Sequence, residues 1–392
     1  MKRATLLTLL TLLACTPPPA SAQGPLSLKW HNFRLLGQLR DHTDNHGVDR
    51  RIWSKALGQW RKLYVYLPPN YDPCVRYPLI LWLHGVIDDE RTVRDRELPH
   101  FDQAIASGRL PPSIVVIPDG RIPVDDRART PINAGELPGP ERRQRWDRGF
   151  PFDSFFVNNK AGRYEDYLLM DVLPFVKAHY PIRPEREAHV IMGFSLSGWA
   201  AYAVALKNTD VFGIVMGFIP PLNMRWVDCH GNYHGDFDPG CWGWRNTLDR
   251  DEVIGTSRSS GARATLRRGI EPYFGWGDEG LAWLSWENPI EQLERCDIRP
   301  GEITMYVGYI RQDEFNLDAQ VESFLHVARR RGLCVKVDRD TESPSHSVYQ
   351  VHRAFPRAFD WLGTQLRPYS RTLARGPVPI DRYRPSWNTP RP

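Results

Sequence analysis

The stretch that most constrains the fold runs from His189 to Leu206, HVIMGFSLSGWAAYAVAL. Its opening residues, His189 to Met192, form an apolar run short enough to be a strand buried on both faces. From Ser197 to Lys207 the apolar residues continue at helical spacing, which predicts a buried helix. Between the two, Gly193-Phe194-Ser195-Leu196-Ser197-Gly198 leaves room only for a sharp turn. A serine on such a turn has its hydroxyl pushed clear of the backbone, provided that the residues two before and two after it are small. Gly193 and Ser197 meet that condition. The helix behind the turn also aims its free N–H groups and the positive end of its dipole at the serine, a setting that favours an oxyanion. An ordinary strand-to-helix turn has the same six residues, so the rest of the chain must decide.

The remaining pattern gives an α/β architecture. Lys62 to Leu67 alternates as a strand and stops at the turn Pro68-Pro69-Asn70-Tyr71; Leu79 to Leu83 is continuously apolar and stops at His84-Gly85; Ser113 to Ile117 stops at Pro118-Asp119-Gly120. Leu169, Val172, Leu173 and Val176 make a helical stripe within Glu165 to His179. Further strands follow at Phe212 to Phe218, Ile303 to Val307 and Cys334 to Val337, and further helices at Ala319 to Arg331 and Val351 to Leu366. Strands alternating with helices predict a mostly parallel central sheet covered on both faces.

The catalytic core spans 51–367 on this reading, preceded by a polar arm over 23–50 and followed by an Arg/Pro-rich disordered tail over 368–392. Arg121 to Asn159 is charged and rich in Pro and Gly, as a long surface loop is. Between Asn223 and Pro289 the rhythm breaks into an insertion holding Trp226, Trp242, Trp244, Trp276, Trp283 and Trp286. These tryptophans either fill a local core or stack on flat, sugar-like substrate faces.

The first residues carry the marks of export: Lys2 and Arg3, an apolar run from Ala4 to Ala14 too short to span a bilayer, and Ala20-Ser21-Ala22 before Gln23, giving a signal peptide over 1–22. Leu12-Leu13-Ala14-Cys15 also has the form of a bacterial lipobox, which gives a signal over 1–14 and a lipid anchor through Cys15. Both readings put the mature chain outside the cytoplasm, whether periplasmic, surface-anchored or secreted. Both leave Cys74, Cys229, Cys241, Cys296 and Cys334, an odd number. The expected disulfide joins Cys229 to Cys241, which share one short polar segment. The 51 basic and 46 acidic residues are spread along the chain, so no nucleic-acid footprint is indicated.

A nucleophilic serine needs a base within hydrogen-bond reach and a carboxylate that orients the base. In a sheet of this kind they follow the serine as acid and then histidine, each after a late strand. Asp313, in GYIRQDEFN, and His346, in SPSHSVY, stand in those places. Glu314 is the alternative acid and Asp318 a weaker one, while His352 could replace His346 but falls within the last helix. The expected oxyanion donors are the backbone N–H groups of Leu196 and of Val86, with Gly85 permitting close approach; His84-Gly85 could equally be a simple turn. His230 and His234 with Asp236 and Asp238 could hold a metal, although a solvated polar loop explains them as well. No metal or organic cofactor is required by this chemistry.

VYLPPNYDP, RYPLILWLHG, VVIPDG, YEDYLLMDVLPFVKAHYPI and GFSLSG together resemble the esterase family that includes S-formylglutathione hydrolase (esterase D), feruloyl esterases, enterobactin esterases and the mycolyltransferases. The likeness covers Trp53 to Ile219 and, more loosely, Gly301 to Leu366. It implies an α/β-hydrolase fold with Ser195 on the nucleophile, His346 on the base, Asp313 on the acid, and Val86 and Leu196 on the oxyanion donors. Glu165 falls on a position expected to be structural. This chain departs from the family at Ser197, where many members have Gly, and in the longer stretch before Asp313.

The reading that follows is an exported serine carboxylic-ester hydrolase working through an acyl-enzyme, with an acylated or feruloylated polysaccharide as a candidate substrate. Two alternatives stand beside it: an acyltransferase of envelope lipids or glycans, in which an alcohol displaces water, and a non-catalytic polysaccharide-binding protein on the same scaffold.

Overall fold

The computed structural model describes residues 25–86, 88–122, 153–258, 261, 263–340, 345–370 and 372–373. The expected export segment with Cys15, most of the loop expected over 121–159 and nearly all of the expected tail lie outside the described residues. Among the described residues no helix is long and apolar enough to cross a membrane.

Eight strands form the central sheet: β1 (Gln38–His42), β2 (Leu63–Leu67), β3 (Leu79–Leu83), β4 (Ile114–Pro118), β5 (His189–Phe194), β6 (Ile214–Phe218), β7 (Thr304–Ile310) and β8 (Val335–Asp340). Their order is β1-β2-β4-β3-β5-β6-β7-β8. The β1/β2 and β2/β4 pairings are antiparallel and all others parallel. β3 and β5, which read as apolar runs, sit inside this sheet, because a strand buried on both faces has no polar side to show; β2, which read as alternating, is buried along its whole length as well. In β3, Leu79, Leu81 and Leu83 enter one layer while Ile80 and Trp82 enter the other. Each such buried side chain contributes about 1.5–3 kcal/mol.

Helices cover both faces. Leu98–Ala106 (α1) and Val348–Leu366 (α4) pack on one, while Leu196–Lys207 (α2) and Leu317–Arg330 (α3) pack on the other. The stripe expected over 165–179 also lies on the α2 face, as one turn of α-helix, a π-helical stretch Tyr167–Val172 and an α-helix Leu173–His179. Leu169, Val172, Leu173 and Val176 are all buried.

The arm and the tail differ from the expectation. The arm over 23–50 holds a helix, Pro25–Arg34, and the edge strand β1. Its period was hidden because an inward position carries Asp41, whose carboxylate accepts from Thr43 N–H and Thr43 Oγ1. The insertion is structured, with hairpins Trp226–Asp228/Trp242–Trp244 and Val253–Thr256/Arg263–Thr265 followed by short helices up to Trp286. Thr372–Leu373, in the expected tail, pairs with Val75–Arg76.

The parallel strands end on one side of the sheet. Gly193 at the end of β5 stands opposite Leu83 at the end of β3, so the loop that starts at His84 and the turn at Ser195 emerge side by side.

Candidate active site

Ser195 sits between β5 and α2 with φ 58° and ψ −128°. A non-glycine residue rarely adopts that conformation, and it is held by fixed neighbours. Ser195 N–H donates to Phe218 C=O at 2.8 Å, and Ser195 C=O accepts from Trp199 N–H at 3.1 Å. The turn is tight enough that a Cβ on Gly193 would lie 2.5 Å from the Ser197 carbonyl oxygen.

His346 Nε2 lies 2.9 Å from Ser195 Oγ, and its Nδ1 lies 2.9 Å from Asp313 Oδ2. The Asp313 carboxylate is fully buried and its other oxygen accepts from Phe315 N–H at 2.8 Å. With the carboxylate facing Nδ1, that nitrogen carries the proton and Nε2 is left to accept from the serine. The imidazole is stacked on Phe194 (centroids 5.2 Å apart) and meets the edge of Phe315 (5.1 Å). Three residues expected from separate parts of the chain are thus joined in one hydrogen-bonded line.

The loop after β3 explains more than a simple turn would. His84 is fully buried; its Nε2 accepts from Gly120 N–H at 2.9 Å, so Nδ1 is protonated and donates to Gly85 C=O at 3.0 Å. Asp88 N–H donates to the same carbonyl at 3.0 Å. The Gly85 C=O and the Val86 N–H belong to one trans peptide and point in opposite directions. Holding the carbonyl therefore aims the N–H away from it. Ser197 Oγ donates to His84 C=O, which ties α2 to this loop and gives the serine at this position a use that glycine would lack. Among the described residues neither the Val86 nor the Leu196 N–H meets an acceptor.

Carboxyls beneath the loop have little water. Burial pushes Asp153 up to about 6 and raises Asp88, the latter opposed by the Arg96 guanidinium at 2.6 Å. Asp153 Oδ2 is 3.8 Å from His84 Nδ1.

A family model described as putative esterase matches residues 54–360. The chain belongs to that family. It is similar to S-formylglutathione hydrolase of Rattus norvegicus, 27% identical over 168 residues, which cover 41% of this chain and 52% of that protein; the match spans about half of that relative's length. Two solved structures share the α/β-hydrolase fold. An S-formylglutathione hydrolase from Agrobacterium tumefaciens aligns with TM-score 0.56 at 15% identity, over 85% of this chain and 96% of that one. A ferulic acid esterase from Anaeromyces mucronatus in complex with ferulic acid aligns with TM-score 0.50 at 18% identity, over 84% and 92%.

The competing residues lie elsewhere. Glu314, one step along from Asp313, turns the other way and accepts from Arg258 N–H at 3.1 Å, its carboxylate 3.8 Å from that arginine's Nε. Asp318 accepts from Gln312 N–H at 2.7 Å and serves as a prop for the loop. His352 is on α4 against His100, centroids 4.4 Å apart, and takes no part in the line from Ser195. His234 Nε2 is 2.8 Å from Val253 C=O, and Asp238 accepts from Gly240 N–H, while Asp236 is exposed. Among the described residues Cys229, His230 and Cys241 bring donor atoms within 4.8 Å of one another, but the two sulfurs are joined as the expected disulfide, Cα–Cα 4.7 Å.

The tryptophans of the insertion mainly pack. Trp226 is fully buried and donates from Nε1 to Tyr233 C=O at 3.0 Å. Trp244, Trp276 and Trp286 each carry an arginine guanidinium over one ring face, from Arg225, Arg250 and Arg295. The sequence did not point to His84 as a support of the loop, although the strand-ending His-Gly pair was a signal for it.

Proposed function

We propose that this chain is a serine carboxylic-ester hydrolase. What carries the reading is the unbroken line from Ser195 Oγ through His346 to a buried carboxylate at Asp313. Ser195 Oγ attacks the ester carbonyl carbon as His346 Nε2 takes its proton. The carbonyl oxygen becomes an oxyanion before the Val86 and Leu196 N–H groups, each contributing about 3–4 kcal/mol. His346 then returns the proton to the departing alcohol, leaving an acyl-serine. Water, deprotonated by the same histidine, attacks the acyl-serine and releases the acid. An acyltransferase would differ only in the second acceptor.

For the substrate we put feruloylated or acetylated polysaccharide first, supported by the ferulic acid held in one structural neighbour. The chain would meet it outside the cytoplasm. The disulfide Cys229–Cys241 supports an oxidising compartment, and the Lys2 to Ala22 pattern supports export. The test is steady-state hydrolysis of p-nitrophenyl acetate and methyl ferulate by the purified protein, with added alcohols as competing acceptors. Turnover with free acid as the product supports the hydrolase, alkyl ester as the main product supports the transferase, and no turnover of either substrate sinks the enzymatic reading.

The elbow supplies a further prediction. In Gly193→Ala the new methyl meets the Ser197 carbonyl, a backbone atom that can yield only by moving the start of α2. The expected cost is about 1–3 kcal/mol in stability and about 100-fold in kcat, because small displacements of reacting groups are that expensive. Denaturant titration and aryl-ester kinetics on one preparation check both; a variant with wild-type kcat would show that the turn has slack.

A further inference from the structure

We infer that Tyr233, presented by the disulfide-closed loop of the insertion, is a positioning residue for Asp313. The inference rests on the reading of Asp313 as the acid. The segment between β7 and α3 is only six residues long and has left-handed backbone at Gln312 (φ 56°) and Asn316 (φ 54°). Each such residue costs about 1–3 kcal/mol and persists only where the surroundings fix it. Some of the fixing is internal: Asp318 accepts from Gln312 N–H, and Asn316 N–H donates to Asp313 C=O at 2.9 Å.

The external support comes from the insertion. Tyr233 Oη donates to Phe315 C=O at 2.7 Å and accepts from Gln320 Nε2 at 2.9 Å. Asn316 Nδ2 donates to Tyr233 C=O at 2.7 Å and to Gly235 C=O at 3.2 Å. One residue of the insertion thus holds the acid loop through both its side chain and its backbone. Tyr233 is in turn held. It is buried, Arg245 lies over its ring at 5.5 Å, and Glu252 anchors that arginine at 2.8 Å. Cys229–Cys241 closes the loop that carries it.

Burial raises the phenol well above its usual value, so the hydroxyl remains a donor throughout any assay range. Gly255 of the second hairpin presses on the same place, where a Cβ would lie 2.1 Å from Phe315 Cδ1, and Phe315 is the ring that meets His346 edge-on. The insertion therefore acts on the chemistry from behind the acid.

The test is a double-mutant cycle on p-nitrophenyl acetate hydrolysis with wild type, Tyr233→Phe, Asp313→Asn and the double variant, each checked for folding by circular dichroism. Tyr233→Phe is expected to lower kcat about 10- to 100-fold with KM little changed, and to have no further effect once Asp313 is already Asn. Equal losses in both backgrounds, or an unchanged kcat, would overturn the positioning role. Full activity in Asp313→Asn would instead remove Asp313 as the acid, a failure visible separately from that of Tyr233. If Tyr233→Phe does not fold, Asn316→Gly, which keeps the left-handed backbone and deletes the tether, must show the same loss confined to the Asp313 background.

Discussion

Replacing Ser195 with alanine is expected to lower kcat for aryl esters by about a million-fold and to abolish covalent labelling by a fluorophosphonate, with the fold intact. The fold should survive because nothing structural depends on the hydroxyl. The turn is held through Ser195 N–H and C=O, and both bonds remain in the variant. Alanine bears the same left-handed backbone that serine already tolerates. His346→Ala should cost nearly as much, and Ser195→Ala with His346→Ala no more than either alone, since the residues of such a unit work only together. What survives would be the contribution of the Val86 and Leu196 N–H groups and of substrate binding, about 10³- to 10⁴-fold over water. Kinetics and intact-mass labelling of the three variants check this. A Ser195→Ala enzyme that keeps a tenth of its rate would mean that another residue is the nucleophile.

That so much of this site could be read from the chain has a physical cause. A strand buried on both faces cannot hide, and Leu79 to Leu83 and His189 to Met192 announced their places through composition alone. The elbow was legible because steric crowding permits few residues, and Gly193 shows this, since a Cβ there would run into the Ser197 backbone. Between Asp313 and Glu314, position favoured Asp313 but left Glu314 open. Two carboxylates one residue apart differ only in direction, and that direction is set by Gln312 and Asn316 in left-handed backbone and by Arg258 waiting for Glu314. Tyr233 was invisible for the same reason: its role depends on tertiary contacts across more than eighty residues, and no local pattern encodes them. The edge strand β1 was lost because Asp41 points inward, its carboxylate held by Thr43 and Arg50, which erases the alternation by which a half-buried strand is recognised.

The largest expected loss of stability comes from a residue far removed from this chemistry. Lys207, at the end of α2, is buried between two carboxylates, with Nζ 2.6 Å from Glu165 Oε2 and 2.7 Å from Glu287 Oε2. Asn208 Nδ2 donates to the other oxygen of Glu165 at 3.1 Å, in keeping with a structural role for that glutamate. Burial alone would lower the lysine's pKa, but the two glutamates overcome it and raise the value above 10.5. A raised pKa means that the stabilisation is complete below the unfolded lysine's value and fades only as pH climbs through the folded one, so at neutral pH wild type has all of it. Lys207→Met keeps the volume and strips the charge, leaving two buried carboxylates facing each other. The expected cost at pH 7 is about 3–5 kcal/mol. The deficit should shrink in mild acid, where an uncompensated carboxylate takes up a proton instead of remaining charged in a dry site. Urea unfolding of both proteins at pH 5 and pH 8 measures it. A loss below about 1 kcal/mol at pH 8 would mean that the triad's attraction only balances its desolvation, as buried ion pairs sometimes do, and that Glu165 and Glu287 find other partners once the lysine is gone.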